Sequence, residues 1–507
     1  MSDADRAHIA EVVAQAASSG RTHWLAQVVH LESAKGASGA RDAGLRCLAA
    51  AGTQDRFYWE DVASGDYYAA WGVADEVEAA GRARFADVSR WSKSASERLC
   101  WIGEVRPSDA PVFLGGFGFE EEGARSPDWK GFPAARFVLP EILLECVGGL
   151  QRAVFVVRVE PGVTAEGVEA LLHLRAETLQ TARIAEPETP LRGRPPAMPD
   201  PMEAIGFEAG EGAGPEYRVR SDRSQAVFEG QVAQALAAID AEDFEKVVLA
   251  RSLRVDHDGE VDVPAFLGRL RGLYPTCTLL AVGRGEDTFL AATPEALVKV
   301  EGRAVSTAAL AGSAPRGREP EEDERLAASL TGSAKERAEH AHVVDAIREV
   351  LAPLCSELDA PTSPSLRQLF GIQHLETNIL GRLRDVEDES ASQAPDLLGI
   401  AAALHPTPAV GGAPSLPARE WLRRFEGLDR GWYAAPVGWL DAEGGGNLRV
   451  ALRSGLVRNG LVEGDAAPAS RTLLFAGAGI VAGSEPQAEL VETRIKLRAL
   501  LAPLTEI

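Results

Sequence analysis

From Asp222 onward the chain carries apolar, β-branched runs in such quick succession that helices cannot fit between most of them. Lys246 to Arg251, Cys277 to Val282, Thr288 to Leu290 and Leu297 to Val300 read as strands. Parallel neighbours need a crossover of about a dozen residues or more, and several of these links are far shorter, so the sheets are expected to be largely antiparallel. Trp439-Leu440, the turn region Gly444-Gly445-Gly446 and a strand over Leu448 to Leu456 add a hairpin. Helical periodicity covers Ala226 to Asp240, about 321 to 331 and about 335 to 354, so strands are in the majority.

The first half mixes Ala-rich helical stretches with short runs at Arg46 to Ala51, Arg56 to Glu60, Val112 to Phe119 and Phe137 to Leu139. Pro140 is a suitable first-turn residue for a helix over Glu141 to Cys146. A strand follows at Ala153 to Val157, then a helix at Glu166 to Thr181. Phe57-Tyr58-Trp59 and the segment Gly115 to Phe119 read as aromatic packing around glycine bends. Residues 186 to 216 are crowded with Pro, Gly and Glu, which marks a boundary or a surface excursion. The division expected is an N-terminal part, 1–221, and a catalytic part, 222–507.

Charge narrows the choice of partners. Seventy-five acidic residues stand against 52 basic ones, a formal charge of −23 over 507 residues. Such a field repels nucleic acid and anionic membranes, and any site for an anionic molecule must be lined locally with cations, backbone N–H groups or a metal ion. The five cysteines are odd in number and scattered, with no zinc-ligand spacing, as expected of buried thiols in a reducing compartment. The polar N-terminus lacks a signal-peptide pattern, and no run of 18 uncharged apolar residues occurs, so a cytoplasmic protein is expected. No obligate protein partner is evident.

Two acidic pairs carry the sharpest chemical signal. Glu336 and Glu339 lie three apart, as do Glu489 and Glu492, and on helices each pair shares a face. Two such helices face to face would supply four carboxylates, the oxygen donors that magnesium prefers. Taken singly, each pair also fits an exposed acidic helix surface. Ser484 and Gln487 fit a capping box ahead of the second pair, with Pro486 in the first turn and Lys496 on the same face as Glu489. Gly477 and Gly479 let backbone approach a ligand, and with Ala482 they loosely match a dinucleotide fingerprint, although too little chain follows to complete that fold. Arg453 shares one side of its strand with Arg449 and Ala451; it is either exposed or a fork for a carboxylate. Lys246 opens an apolar strand, where snorkelling and a desolvated, lowered pKa are both open. Glu295, after Thr293-Pro294, sits where a protonated carboxyl would act as an acid.

Read in order, nine segments resemble the chorismate-utilising enzymes, and among them the isochorismate synthases. They are KVVLAR (246–251), FLAATPEALV (289–298), ALAGSAPRG (309–317), SAKERAEHAHVV (333–344), QHLETNI (373–379), ALHPTPAVGG (403–412), RGWYAAPVGW (430–439), VALRS (450–454) and AGAGIVAGSEPQAELVETRIK (476–496). FYWE, GGFGFE and WKGFPAARFVLP in the first half resemble the N-terminal part of the menaquinone-type and siderophore-type members.

The resemblance implies an α/β (α+β) fold of large antiparallel sheets flanked by helices in one compact unit, with 186–216 a surface excursion. It implies that Lys246 activates water and Glu295 protonates the departing hydroxyl, with Mg2+ held by Glu339, Glu489 and Glu492 and with Glu336 as the additional acid. Arg453, Tyr433, Lys496, His374 and the backbone around Gly477 and Gly479 are implied substrate contacts, as are Gly312 and Ser313 in the ALAGS turn, where Ser313 replaces a threonine and Ala309 a proline.

The implied reaction is magnesium-dependent: water adds to chorismate at ring carbon 2 and the carbon 4 hydroxyl leaves. The chain length and the long N-terminal region lean toward a menaquinone rather than a siderophore pathway. Salicylate synthase and an amine-adding synthase are the competing enzymes, and a non-catalytic interaction module is the competing class. Against amination stand His405 to Gly412, unlike the ammonia-using pattern, and an apolar lining expected from Ala401 to Leu404.

Overall fold

The computed structural model describes residues 1–31, 37–103, 111–184, 217–384, 396–461 and 468–505, so the Pro-rich stretch 186–216 lies outside the described residues. Within them, strands from both halves of the chain interleave in a 13-stranded and a 10-stranded sheet. In the larger sheet the seam between halves runs where Arg56–Asp61 pairs with Thr278–Arg284, Trp59 opposite Leu280. In the smaller it runs where Val112–Phe117 pairs with Pro436–Asp441, Leu114 opposite Trp439. Pairing is antiparallel throughout these seams, and His23–Leu31 with Leu99–Gly103 forms a parallel pair.

Period-two alternation explains how the seam strands divide their side chains. Phe57 and Trp59 face the main core, where Trp59 and Tyr68 pack on Trp439 at 6.3 and 4.9 Å between ring centres. Tyr58 and Glu60 face the opposite side, where Glu60 accepts from Tyr58 at 2.7 Å and from Arg271 at 2.9 Å. That second face is covered by helices Asp3–Ser19, Ala37–Ala50, Ala165–Ile184, Val263–Leu273 and Pro486–Thr505, which contribute Ile9, Leu45, Leu172, Phe266 and Leu500 to one apolar layer. Among the described residues, no helix is long and apolar enough to cross a membrane.

Three local expectations are corrected. Ile142–Val147 is a strand, not a helix: Gly148 and Gly149, at φ 58° and 79°, turn it directly into Leu150–Val159 as a hairpin. Arg46 to Ala51 closes the helix Ala37–Ala50 instead of standing as a separate run. Gly477 and Gly479 lie inside the twelve-residue strand Ser470–Val481, in keeping with the dinucleotide fingerprint being set aside on chain length. The strand expected over Leu448 to Leu456 is broken in two: Gly446–Val450 belongs to the smaller sheet, Ser454–Arg458 to the larger. The chain changes sheets through Ala451-Leu452-Arg453, with Arg453 in the left-handed region at φ 47°. Arg449 and Arg453 therefore part company, and Arg449 pairs with Asp61 at 3.5 Å.

Candidate active site

The site forms at the end of the larger sheet where two helices lie across glycine. Lys246–His257 pairs with Ser470–Val481 so that Val248 lies opposite Gly479 and Ala250 opposite Gly477. Helix Ala334–Leu351 brings the first acidic pair and helix Pro486–Thr505 the second. A Cβ on Gly479 would collide with the Glu339 carboxylate and lie 3.1 Å from Lys246 Cε. The missing side chain is thus what lets Glu339 reach the lysine, whose Nζ is 2.8 Å from Glu339 Oε1. Lys246 is completely buried.

Between these helices and the sheet lies a small cavity. Glu295, Gly312, Ser313, Glu339, His374, Arg453, Gly477, Gly479, Glu492 and Lys496 all border it, drawn from segments spread over two hundred residues. Lys246 stands behind Glu339, and Glu336 and Glu489 flank the cavity without bordering it. Tyr433 stacks on Phe475 at 5.3 Å, and its hydroxyl would be 3.1 Å from a Cβ on Gly477. The apolar wall expected from Ala401 to Leu404 is absent, because helix Leu397–Leu404 turns Ala401 and Leu404 into the main core and Ala402 and Ala403 outward. Ala409, Val248, Leu310 and Leu452 supply the apolar surface instead. No polar signature marks such residues, and sequence reading passed over them.

The cationic side is rigidly partnered. Arg453 donates to His374 Nε2 at 3.1 Å, while His374 Nδ1 lies 3.0 Å from Ser313 Oγ and 3.3 Å from the Gly312 carbonyl. An arginine has no acceptor, so Nε2 must be the bare nitrogen and Nδ1 carries the hydrogen. Burial, reinforced by Arg453 and Lys496, holds the imidazole pKa far below its usual value and keeps it neutral. Lys496 Nζ donates to the Gly477 carbonyl at 2.8 Å and to Glu492 at 2.6 Å.

Among the carboxyls, burial pushes Glu295 up to about 8 against the pull of Lys246, Arg453 and Lys496, so it is protonated at neutral pH. Its place is set by Thr293, whose hydroxyl accepts the Glu295 amide at 3.2 Å and donates to the Val450 carbonyl at 2.6 Å. Burial and the charge of Glu492 raise Glu489 to about 7; burial and Glu339 raise Glu336. For Glu492 burial also acts upward, but the Lys496 ammonium prevails and holds it below the usual range. The Ser484 hydroxyl accepts from the Val481 amide at 3.2 Å and hydrogen-bonds Glu489, in place of the expected capping box.

Lys335 is the member of the site that the motif reading overlooked. Its Nζ lies 3.1 Å from Glu489 Oε1 and 3.6 Å from Glu336 Oε1, tying the two helices together. Among the described residues, no three acidic, His or Cys side chains already converge as a metal site. The donor set still suits a hard divalent cation, since it consists of carboxylate oxygens crowded enough that Glu339 helps to raise Glu336 and Glu492 helps to raise Glu489.

A buried cavity with opposed acids and cations, held between two sheets, defines an enzyme site for a small charged molecule. The family model described as chorismate binding enzyme matches residues 42–505. The salicylate biosynthesis isochorismate synthase of Pseudomonas aeruginosa is 37% identical over 451 residues, 89% of this chain and 85% of that protein. An isochorismate synthase of Bacillus subtilis is 32% identical over 402 residues, 78% of this chain and 74% of the relative. The menaquinone-specific isochorismate synthase structure from Escherichia coli superposes with a TM-score of 0.69 at 21% identity, covering 99% of this chain and all of that one. Anthranilate synthase component I from Streptococcus pneumoniae superposes at 0.61 and 21% identity, over 88% of this chain and 92% of its own, so the fold is shared more widely than one reaction. The chain belongs to the chorismate-binding enzyme family, as one of its isochorismate synthases.

Proposed function

We propose that this protein converts chorismate to isochorismate in a magnesium-dependent reaction. The observation that carries the reading is a protonated glutamate, Glu295, bordering one cavity with Arg453 and Lys496, and a buried lysine, Lys246, directly behind the Glu339 that lines it. Water must lose a proton as it adds to ring carbon 2, and the carbon 4 hydroxyl must gain one as it leaves. A base and an acid are needed at the same pH, which calls for two groups in different environments.

Glu295 is supplied with its proton by burial. Lys246 Nζ is the proton acceptor. Glu339 lies 2.8 Å from Nζ and separates it from the cavity, so Glu339 must turn away for the amine to reach the substrate. Arg453, fixed by its bond to neutral His374, and Lys496 offer donors to the substrate carboxylates. Gly312 and Ser313, at the bulge in strand Ala304–Pro315, shape the turn that seats His374. Tyr433 acts through Gly477, holding that backbone against Val248.

Glu339 and Glu492 inside the cavity, with Glu489 and Glu336 beside them, are the residues that would hold magnesium. When bound, the ion supplies Lewis-acid neutralisation of the substrate's ring carboxylate.

Purified protein incubated with chorismate and Mg2+, with and without ammonium, tests the assignment by chromatography and mass. The expected product is isochorismate, formed reversibly. Stoichiometric pyruvate with salicylate would reassign the chain to salicylate synthesis, and nitrogen incorporation would reassign it to an aminating synthase.

A further inference from the structure

Of the three lysines at the site, Lys335 differs from the others in both address and exposure. Lys246 and Lys496 are 1% and 13% exposed in their side chains, whereas Lys335 is 34% exposed. It is the second residue of helix Ala334–Leu351, where the helix dipole is unfavourable to a cation. On its own helix the nearest carboxylate is that of Glu336, at 3.6 Å, and its closest partner, Glu489 at 3.1 Å, belongs to the facing helix. Both carboxylates lie in the first turns of their helices, where negative charge is favoured with or without the lysine.

Resting on the magnesium reading above, we infer that Lys335 is a positioning residue that serves as an internal, displaceable counter-ion. Its ammonium bridges the outer carboxylates Glu336 and Glu489 while no divalent cation is bound, and it must withdraw toward solvent when one enters. Its partial exposure is what makes withdrawal inexpensive, because the departing ammonium regains water at once. A fully buried lysine in the same place would be trapped by the loss of hydration. The lysine thus sets how much cation is needed to organise the site, and keeps the helices from repelling one another before it arrives.

The test is calorimetric titration of MgCl2 into the full chain without substrate, comparing the parent with K335M and K335R, alongside melting temperatures with and without Mg2+. Met keeps the length of the side chain and its helix preference while removing the charge. K335M should bind Mg2+ roughly fivefold tighter, the scale set by releasing partly exposed ion pairs. It should also melt lower than the parent without cation and gain more on adding it, whereas K335R should track the parent in both readouts. Mg2+ binding by K335M equal to or weaker than the parent's would overturn the counter-ion role and leave the magnesium reading intact. A parent that takes up no Mg2+ would instead defeat the magnesium reading itself, and this inference with it.

Discussion

The inner and outer members of the two acidic pairs share spacing, residue type and helices, yet they occupy different physical environments. Glu339 and Glu492 border the cavity and each is matched to its own lysine, at 2.8 and 2.6 Å. Glu336 and Glu489 flank the cavity and share the half-exposed Lys335. Three residues along a helix advance about 4.5 Å and turn about 60° short of a full revolution, enough to send one carboxylate inward and leave its neighbour at the side. The inner tier is therefore poised for chemistry and the outer tier for charge balance.

The most severe way to break that division is to remove the buried base. K246A should lower turnover by about a thousandfold or more, the scale of an acid–base contribution, while chorismate still binds. Product formation followed alongside ligand binding decides it, and activity within about threefold of the parent would end the assignment.

Next in size is the contrast between tiers. E339A or E492A should abolish Mg2+-assisted chorismate binding without unfolding the protein, while E336Q should weaken it by only about tenfold, as expected for loss of one charge near a cation. Calorimetry giving equal losses in both tiers would erase the distinction drawn here.

A smaller effect concerns Glu295, whose pKa of about 8 in the folded protein stands above the ordinary carboxylate value of 4.5. A carboxyl raised on folding contributes stability that is fully present below the unfolded pKa and lost as pH rises through the folded one. The parent should therefore lose melting temperature relative to E295Q between about pH 4.5 and 8, and its kcat/KM should fall above pH 8. Parallel melting profiles for the two proteins would remove the basis for calling Glu295 the acid.

Smallest is Y433F, which keeps the stacking on Phe475 and loses only the hydroxyl beside Gly477. KM for chorismate should rise by no more than about threefold, the scale of one neutral hydrogen bond, with kcat nearly unchanged. A large fall in kcat would place the hydroxyl in contact with the reacting molecule.

Strand and helix positions in the second half were largely legible, because alternation and helical period report burial directly, as at Lys246–His257 and Ala334–Leu351. Ile142–Val147 was misread because Pro140 suits a helix start as well as a strand edge, and the Gly-Gly turn that decides the matter comes afterwards. The strand through Arg453 was misread because alternation is blind to a change of sheet when the residues on both sides of the crossing remain apolar.

The residue types, their order and the need for local positive charge in an acidic protein followed from the amino-acid sequence alone. Together they pointed to the family and to most of the side chains that border the cavity. Which charge meets which was decided only in three dimensions. Glu339 reaches Lys246 because the facing strand has glycine at 479, Arg453 reaches His374 because the chain leaves one sheet for the other, and Lys335 spans two helices that are far apart in sequence. Periodicity records which side of an element is buried, but the partner of a buried charge depends on distances of a few ångströms between separate elements, and packing alone sets those.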